Sequence, residues 1–321
     1  NSFRRQDLMD NRLANYAGDA GVGMNPALAR RLGESDLLLV LGAQLGDVLT
    51  EGYTLLQVPR PRQTVIHVLA GAEELGKVYE TDLPINSGMP QFAAGLTGMA
   101  PVKSAGWAQW TRDARADYEA NIVPEGNRGA LDFAHVMVWL RENLPEDAIV
   151  ANGAGNFAAW VHRYYIYPRF GTQLAPQSGS MGYGVPAGIA AKLVHPERTV
   201  VAINGDGDFM MNGQEFATAV KYGCDVIFLV INNGTYGTIR MHQERSYPGR
   251  VSGTDLVNPD FAALAQAYGA FGEIVESTEA FPEAFARAQA SGGPALLELR
   301  VDQDVISPRA TITGLRAEPK S

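Results

Sequence analysis

Two apolar runs that each end in a polar turn constrain the fold of this chain more than any other feature. Residues 200–203 lead into the glycine-containing turn 205–207, and residues 226–231 lead into the turn 232–234. Apolar runs of this length without polar alternation are typical of strands buried on both faces of a parallel sheet. We therefore predict a βαβ unit whose two strands end at the same sheet edge, where open α/β sheets bind ligands.

The residues between the two runs predict the helix of this unit. The predicted helix covers 214–222, with Asn212 as a suitable N-cap and Glu215 three residues further on. Gly205 and Gly207 let the backbone before the helix approach a ligand closely, because glycine lacks a side chain. The N-terminus of the helix adds N–H donors and a dipole that favours an anion.

Two polar side chains at this edge predict a metal site. Asp206 offers a carboxylate and Asn233 an amide oxygen, and these hard oxygen ligands suit Mg²⁺ better than a soft metal. Because Mg²⁺ usually completes its coordination with phosphate oxygens and water, the pair also implies a ligand that carries a diphosphate. The alternative is that both side chains only cap turns after their strands.

The spacing of the segments 205–207 and 232–233 resembles the binding motif of thiamine diphosphate (ThDP) enzymes. The resemblance implies that Asp206 and Asn233 bind the metal together with the backbone carbonyl of Thr235. The cofactor-binding residues that it implies in this region are Gly205, Asp206, Gly207, Asp208, Asn233, Thr235, Tyr236 and Gly237.

Length and charge narrow the class of protein. A chain of 321 residues suggests about two domains. The net charge of −9 disfavours nucleic acid or an anionic membrane as partner, and no apolar run approaches the length of a membrane span. The single cysteine, Cys224, excludes an internal disulfide framework and fits a reducing, cytoplasmic location. The chain begins with Asn1 rather than Met, which we interpret as a sign of a fragment or a processed chain.

The first predicted domain covers residues 1–102 and alternates helices with strands, so we expect α/β structure. Asn25 and Pro26 begin a helix that ends at Gly33. The further elements predicted here are a buried strand at 36–41, strands at 64–69 and 82–86, and a closing helix at 90–99. The segment resembles the central domain of acetolactate synthase-like ThDP enzymes, incomplete at its N-terminus.

The turn after the first predicted strand is a candidate contact for a second cofactor. The resemblance places residues 42–46 where a Gly-Ala-Arg turn contacts FAD in flavin-binding members of the family. Gln44 stands at the position of that arginine in this sequence. Two interpretations stay open: a domain that contacts FAD, and a domain with a purely structural role.

A helical linker is predicted at 103–128, followed by the second domain at 129–308 and a C-terminal tail at 309–321. We predict a second doubly wound parallel sheet, so that the fold class is α/β with two such domains. The elements expected in the second domain, besides the βαβ unit, are helices at 132–144 and 187–193, a helix that begins with Asn258 as N-cap, and strands at 148–151, 272–275 and 295–301.

Two further turns of the second domain carry predicted site residues. The resemblance places Ala154, Gly155 and Asn156 at the diphosphate end of the cofactor. The segment 177–187 resembles a family loop in which a methionine lies under ThDP and bends it into a V shape, here Met181. The carbonyl of Gly179 would accept a hydrogen bond from the 4′-amino group.

The residues after Asn233 predict the substrate pocket. The segment 232–237 resembles benzoylformate decarboxylase, whereas acetolactate synthases have a tryptophan where His242 stands. Thr238, Ile239 and His242 are therefore the predicted pocket walls. His242 is a candidate proton donor or hydrogen-bonding wall, and the alternative is a solvated surface residue.

The resemblance covers almost the whole chain and implies a decarboxylating carboligase that acts on 2-oxo acids with ThDP and Mg²⁺, as acetolactate synthase does. One alternative is a 2-oxo acid decarboxylase or aldehyde lyase, and another is a non-catalytic nucleotide- or flavin-binding module. In the family, a glutamate that activates ThDP lies in an N-terminal pyrimidine-binding domain across a dimer interface. We expect this chain to lack that domain and to function as a homodimer or homotetramer.

Overall fold

A computed structural model describes residues 1–102, 106–126 and 128–317. The described chain forms two compact units. The first unit comprises Asn1–Phe3 and Arg12–Asn121, and the second comprises Arg4–Asn11 and the chain from Ile122 onward. Residues 103–105 and 127 of the predicted linker, and residues 318–321 of the predicted tail, lie outside the described residues.

The first unit contains a three-stranded parallel sheet in the order β1-β2-β3. Its helices and strands, in chain order, are α1 (Pro26–Glu34), β1 (Leu37–Leu41), β2 (Thr64–Leu69), β3 (Leu83–Asn86), α2 (Met89–Thr97) and α3 (Ala108–Asn121). The start of α1 is as predicted, because the Asn25 side chain accepts a hydrogen bond from the Ala27 N–H and Pro26 occupies the first helical position.

The prediction that the first strand is buried is wrong. Leu37, Leu39 and Leu41 are each almost half exposed. They point to one face of β1, which is an edge strand of the sheet, while Leu38 and Val40 point to the other. A continuous apolar run indicates that both faces of a strand are hydrophobic. It does not indicate whether other residues of the same unit cover both faces.

The second unit is built on a six-stranded parallel sheet in the order β5-β4-β6-β7-β9-β8. Its elements, in chain order, are α4 (Phe133–Asn143), β4 (Ile149–Asn152), α5 (Phe157–Tyr164), β5 (Gln173–Leu174), α6 (Gly184–Val194), β6 (Val200–Gly205), α7 (Asp206–Asn212), α8 (Phe216–Tyr222), β7 (Ile227–Asn232), α9 (Gly237–Ser246), α10 (Phe261–Ala267), β8 (Phe271–Val275), α11 (Phe281–Ala290), β9 (Ala295–Arg300), β10 (Val305–Ser307), β11 (Ala310–Thr311) and α12 (Ile312–Ala317).

Hydrophobic cores on both faces of this sheet explain its apolar strands. Alternate residues of β6 enter different cores: Val201 and Ile203 pack in a core with α4, α5 and α11, whereas Val200 and Ala202 pack in a core with α6, α8 and α10. The predicted α/β class with parallel sheets is therefore confirmed, and the runs without alternation are buried on both faces as expected. Cys224 is buried and free.

Four predictions about where helices begin are wrong. The predicted turn 205–207 does not exist, because α7 begins at Asp206 itself. Asn212 precedes a short 3-10 helix (Gly213–Glu215) but makes no capping hydrogen bond, and its side-chain amide donates instead to the Gly182 carbonyl. The helix predicted to start at 187 begins at Gly184. The cap of α10 is Asp260, whose side chain accepts from the Ala263 N–H, and not Asn258.

The predicted tail is folded as far as it is described. β10 and β11 form a two-stranded antiparallel sheet, and α12 follows directly. Ile312 and Leu315 of α12 pack with Met241 of α9 and with Ile306. The buried Glu244 of α9 accepts two hydrogen bonds from the Arg316 guanidinium at 2.7 and 2.9 Å. Among the described residues, no helix is both long and apolar enough to cross a membrane.

Candidate functional site

The carboxyl ends of four strands of the second unit surround one cleft. Residues that follow β4, β6, β7 and β9 line it, as does Met181. β4 and β6 are neighbours in the sheet, and the chain leaves them in opposite directions, so the cleft lies at the topological switch point where open α/β sheets bind ligands.

Most of the predicted site residues line this cleft. The predicted residues found in its wall are Ala154, Gly155, Asn156, Met181, Gly205, Asp206, Gly207, Asp208, Asn233, Thr235, Tyr236, Gly237, Thr238 and Ile239. The structure does not place the other two there. Gly179 lies outside the cleft wall, and His242 lies on the exposed face of α9.

Strand register brings Asp206 and Asn233 to the same cleft. β6 and β7 pair in parallel with Gly205 opposite Ile231, so each strand ends within two residues of its polar side chain. Asp206 is almost completely buried. Its Oδ1 accepts from the Gly207 N–H at 2.9 Å, and its Oδ2 accepts from the Gly234 N–H and the Asn258 side-chain amide, both at 2.8 Å.

These hydrogen bonds leave Asp206 able to bind a cation. A carboxylate has about four lone-pair sites, and three of them are occupied, so Oδ1 keeps one acceptor site. Burial raises the pKa of Asp206, while the three hydrogen bonds act in the opposite direction. A bound cation would favour the ionised form further.

The other two predicted oxygen donors, Asn233 and Thr235, line the same cleft as Asp206. The Asn233 side-chain oxygen accepts one hydrogen bond, from the Thr235 N–H at 3.1 Å, which holds the loop carrying the Thr235 carbonyl close to the amide. The described residues contain no cluster of three His, Cys, Asp or Glu side chains suited to a metal. Besides Asp206, an ion here would therefore depend on amide and carbonyl oxygens and on phosphate oxygens of the ligand, which is the donor set that Mg²⁺ accepts.

Asp208 connects two segments of the cleft wall. Its Oδ1 accepts from the backbone N–H of Ala154 at 3.0 Å and of Gly182 at 2.8 Å, so it joins the turn after β4 to the loop that carries Met181. Its Oδ2 has no hydrogen-bond partner among the described residues. Burial raises the pKa of Asp208 to about 6. Asp208 is therefore placed to hold these two loops in position.

Asn156 and Thr238 form a second connection across the cleft wall. The Thr238 hydroxyl donates to the Asn156 side-chain oxygen at 2.9 Å, and the Asn156 amide donates to the Ile306 carbonyl at 2.8 Å. The Thr238 hydroxyl is therefore already engaged by the protein. Ile239, by contrast, lines the cleft with its side chain half exposed.

The loop before α6 places Met181 in the cleft through its glycines. Gly182 has a φ of +81°, and a Cβ there would lie 2.8 Å from the side chains of Met211 and Asn212, so only glycine fits without a shift. Gly179 also has a positive φ, of +73°, and the Arg4 guanidinium lies 2.8 Å from the position of its missing Cβ.

The sequence interpretation missed several residues of the site. Asn258 contacts Asp206 directly, but the sequence Asn-Pro-Asp was interpreted as a helix cap. Phe157 and Trp160 of α5 line the cleft, and so does Ile306. The aromatic residues carried a usable signal, because they belong to the first turns of the helix that follows the predicted turn 154–156.

A second cavity lies in the first unit, at the carboxyl edge of β1 and β2. The turn after β1 contributes Gln44 to its wall, together with the buried His67 and Tyr79. The His67 ring nitrogen Nε2 lies 2.9 Å from the Ala43 carbonyl oxygen, so this ring is tied to the turn. The predicted FAD contact of this turn stays a prediction.

A parallel sheet with helices on both faces, and a cleft lined by Asp206 and Asn233 at its switch point, are typical of α/β proteins that bind phosphate-containing cofactors. The family can be stated from sequence. Residues 153–299 match the family "Thiamine pyrophosphate enzyme, C-terminal TPP binding domain", and residues 1–96 match "Thiamine pyrophosphate enzyme, central domain". The chain belongs to the thiamine pyrophosphate (ThDP) enzymes and contains these two domains.

Relatives point to one branch of this family. The chain is 30% identical over 275 residues to the acetolactate synthase large subunit of Parasynechococcus marenigrum, covering 84% of this chain and 44% of the relative. It is 32% identical over 277 residues to acetolactate synthase of Mycobacterium avium, covering 82% and 44%. It is 27% identical over 290 residues to acetolactate synthase isozyme 2 large subunit of Escherichia coli, covering 90% and 52%. The chain spans about half the length of these relatives.

Proposed function

We propose that this chain is the cofactor-binding part of a ThDP- and Mg²⁺-dependent enzyme that decarboxylates a 2-oxo acid and joins the product to a second carbonyl compound. One observation carries the proposal: Asp206, Asn233 and Thr235 line a single cleft together with Met181. The similarity to acetolactate synthases supports the carboligase reaction.

The proposed roles follow from the geometry of the cleft. Bound ThDP supplies the carbanion chemistry that decarboxylation of a 2-oxo acid requires. Asp206, Asn233 and the Thr235 carbonyl hold the Mg²⁺ of its diphosphate. The residues proposed to bind the cofactor around this ion are Ala154, Gly155, Asn156, Gly205, Gly207, Asp208, Tyr236 and Gly237. Met181 supports the bent form of the cofactor from the adjoining loop.

The contacts on the substrate side of the cleft define the proposed roles of the pocket residues more closely than the sequence did. Ile239 is proposed as an apolar wall, and Thr238 as a wall whose hydroxyl can only accept a hydrogen bond, because its hydrogen is donated to Asn156. Gly179 keeps its proposed hydrogen bond to the 4′-amino group through its carbonyl. His242, which is exposed on α9 three residues after Ile239, keeps its proposed role as a proton donor or hydrogen-bonding wall, with a solvated surface residue as the alternative.

Binding of the cofactor is the first test. Calorimetric titration of ThDP into the purified chain should give binding with Mg²⁺ and none with excess EDTA. Asp206→Ala should abolish the Mg²⁺-dependent binding. Asp225→Ala is the matched control, because this half-exposed carboxylate precedes β7, pairs with Lys192 at 3.0 Å, and should leave binding unchanged. Binding that is equal with and without Mg²⁺ would contradict the proposal.

Product analysis separates the proposed reaction from its alternative. The resemblance of 232–237 to benzoylformate decarboxylase supports a simple decarboxylase or aldehyde lyase as second candidate. With pyruvate, a carboligase should give acetolactate or another acyloin, whereas a lyase should give free aldehyde. Either activity is proposed to require a pyrimidine-binding domain in the same polypeptide or in a separate chain. Full turnover by the 321-residue chain alone would contradict that requirement.

The assembly and location of the protein are also proposals. A homodimer or homotetramer would allow a pyrimidine-binding domain of one subunit to meet the cleft of another. A cytoplasmic location fits the single cysteine.

A further inference from the structure

The side chain of Asn258 lies beside the proposed metal ligand, in the loop that precedes α10. Its amide nitrogen is 2.8 Å from Asp206 Oδ2 and 2.9 Å from Asn232 Oδ1. Both hydrogens of the amide are therefore used, one for each acceptor. The Gly234 N–H donates to the same two oxygens, at 2.8 and 3.1 Å. Two donors thus hold Asp206 Oδ2 in one position.

A buried carboxylate fixes the direction of these hydrogen bonds. Glu298 of β9 is almost completely buried, and it accepts from the Phe261 N–H and from Arg300 Nε, both at 3.0 Å. The Asn232 amide nitrogen donates to Glu298 Oε1 at 2.9 Å. Because an ionised carboxylate only accepts hydrogen bonds, Asn232 must turn its nitrogen toward Glu298.

The orientation of Asn232 determines the orientation of Asn258 in turn. Because the Asn232 amide nitrogen donates to Glu298, the Asn232 side-chain oxygen faces Asn258. Asn258 must therefore donate to it through its own amide nitrogen. That nitrogen is then the group next to Asp206. The side-chain amides at both positions are therefore assigned by their partners, and reversing either one would place two acceptors against each other.

We propose that Asn258 is a positioning residue for Asp206, and that Glu298 sets its orientation through Asn232. This inference rests on the proposed function, since Asp206 is positioned for the Mg²⁺ of the cofactor. With Oδ2 held by Asn258 and Gly234, the acceptor site that remains for the ion lies on Oδ1. Residues that orient a metal ligand typically change metal affinity by about 10- to 100-fold when they are replaced.

The test measures the Mg²⁺ affinity of the purified chain by calorimetry at saturating ThDP. Asn258→Leu keeps the approximate size of the side chain and removes both donors, so the dissociation constant for Mg²⁺ should rise by about 10- to 100-fold. The matched control is Val257→Ala, because Val257 precedes Asn258 and is fully exposed, and its Mg²⁺ affinity should not change. The thermal midpoint of each metal-free variant shows whether the fold has been altered.

A second variant tests the chain of hydrogen bonds. Glu298→Met has nearly the same length but offers Asn232 no acceptor, so Asn232 and Asn258 are no longer held in one orientation. It should weaken Mg²⁺ binding as a single change, and it should add little in the Asn258→Leu background. A general loss of stability would instead make the two effects additive. If Asn258→Leu does not fold, Glu298→Met alone decides, because unchanged Mg²⁺ affinity in that variant overturns the proposal.

The outcomes separate this inference from the proposed function. A wild-type chain that binds ThDP only with Mg²⁺, together with variants of unchanged Mg²⁺ affinity, would overturn the role of Asn258 and leave the function standing. A wild-type chain without any Mg²⁺-dependent binding would overturn both.

Discussion

The substitution Gly153→Ala tests how firmly Asp208 holds the cleft wall together. Gly153 follows β4, and a Cβ at this position would lie 1.9 Å from Asp208 Oδ2 and 2.4 Å from its Cγ. Heavy atoms cannot approach so closely, so the Asp208 carboxyl group must move. Its Oδ1 would then lose the backbone N–H groups of Ala154 and Gly182.

The expected loss of stability follows from these two hydrogen bonds. A buried donor left without an acceptor costs about 1–3 kcal/mol, and the Gly182 N–H is buried whereas the Ala154 N–H is only partly buried. Gly153→Ala should therefore lower the free energy of unfolding of the second unit by about 2–4 kcal/mol. Asp208→Ala leaves the same two N–H groups without an acceptor and should cost a similar amount.

The double variant separates this mechanism from a general packing defect. Because both substitutions break the same hydrogen bonds, the Gly153→Ala/Asp208→Ala variant should be about as stable as either single variant. Urea unfolding gives the free energies, and hydrogen exchange should show lost protection at the amides of Ala154 and Gly182 in all three proteins. Gly293→Ala is the control, because a Cβ there meets no atom within 4 Å. Additive losses in the double variant would refute the proposed clash.

Two further predictions concern pH and packing. Hydrogen bonds from Arg316, and then from the Gly249 N–H and Arg240, lower the pKa of Glu244 to about 2, which is below its value in the unfolded chain. The contribution of Glu244 to the free energy of unfolding is therefore present above about pH 4.5 and is lost as the pH falls toward 2. Glu244→Gln should flatten the decline of the unfolding free energy across that range in urea titrations at several pH values, and an unchanged slope would contradict the assignment. Phe261 is fully buried and contacts Phe209 edge to face, so Phe261→Ala should lower the free energy of unfolding by about 3–5 kcal/mol. Leu39→Ala, at the half-exposed face of β1, should lower it by about 0.5 kcal/mol or less. Similar losses for the two variants in urea unfolding would show that exposure does not govern either site.

The centre of the fold was predictable because its local signals and its tertiary environment agree. β6 and β7 are apolar along their whole length, and the structure buries both faces of each. Parallel pairing of two such strands leaves little freedom for the residues that follow them, so Asp206 and Asn233 had to reach the same sheet edge. Position along a strand was therefore enough to place both in one cleft.

The segment 206–212 was not predictable, because local propensity and tertiary contacts oppose each other there. Glycine and aspartate are poor helix formers, and the sequence Gly-Asp-Gly-Asp is typical of a turn. In the structure the carboxylate of Asp206 accepts from the Gly207 N–H in the first turn of α7, where negative charge is favourable. The carboxylate of Asp208 is held by two other loops. These contacts outweigh a propensity cost of about 1 kcal/mol for a single glycine.

Asn258 shows why the remaining part of the site could not be obtained from local sequence. Asn258 and Asp260 are both good helix caps, and only one of them can cap α10. Asp260 does so, with its Oδ1 2.8 Å from the Ala263 N–H, and the Asn258 side chain is then available for a partner 52 residues away in the chain. An amide has two donors to offer to Asp206 and Asn232, whereas a carboxylate at position 258 would repel Asp206. The order of the two residues therefore matters to the hydrogen bonds of Asp206 and not to the capping of α10, and exchanging them should leave α10 capped by asparagine while Asp206 loses its donor.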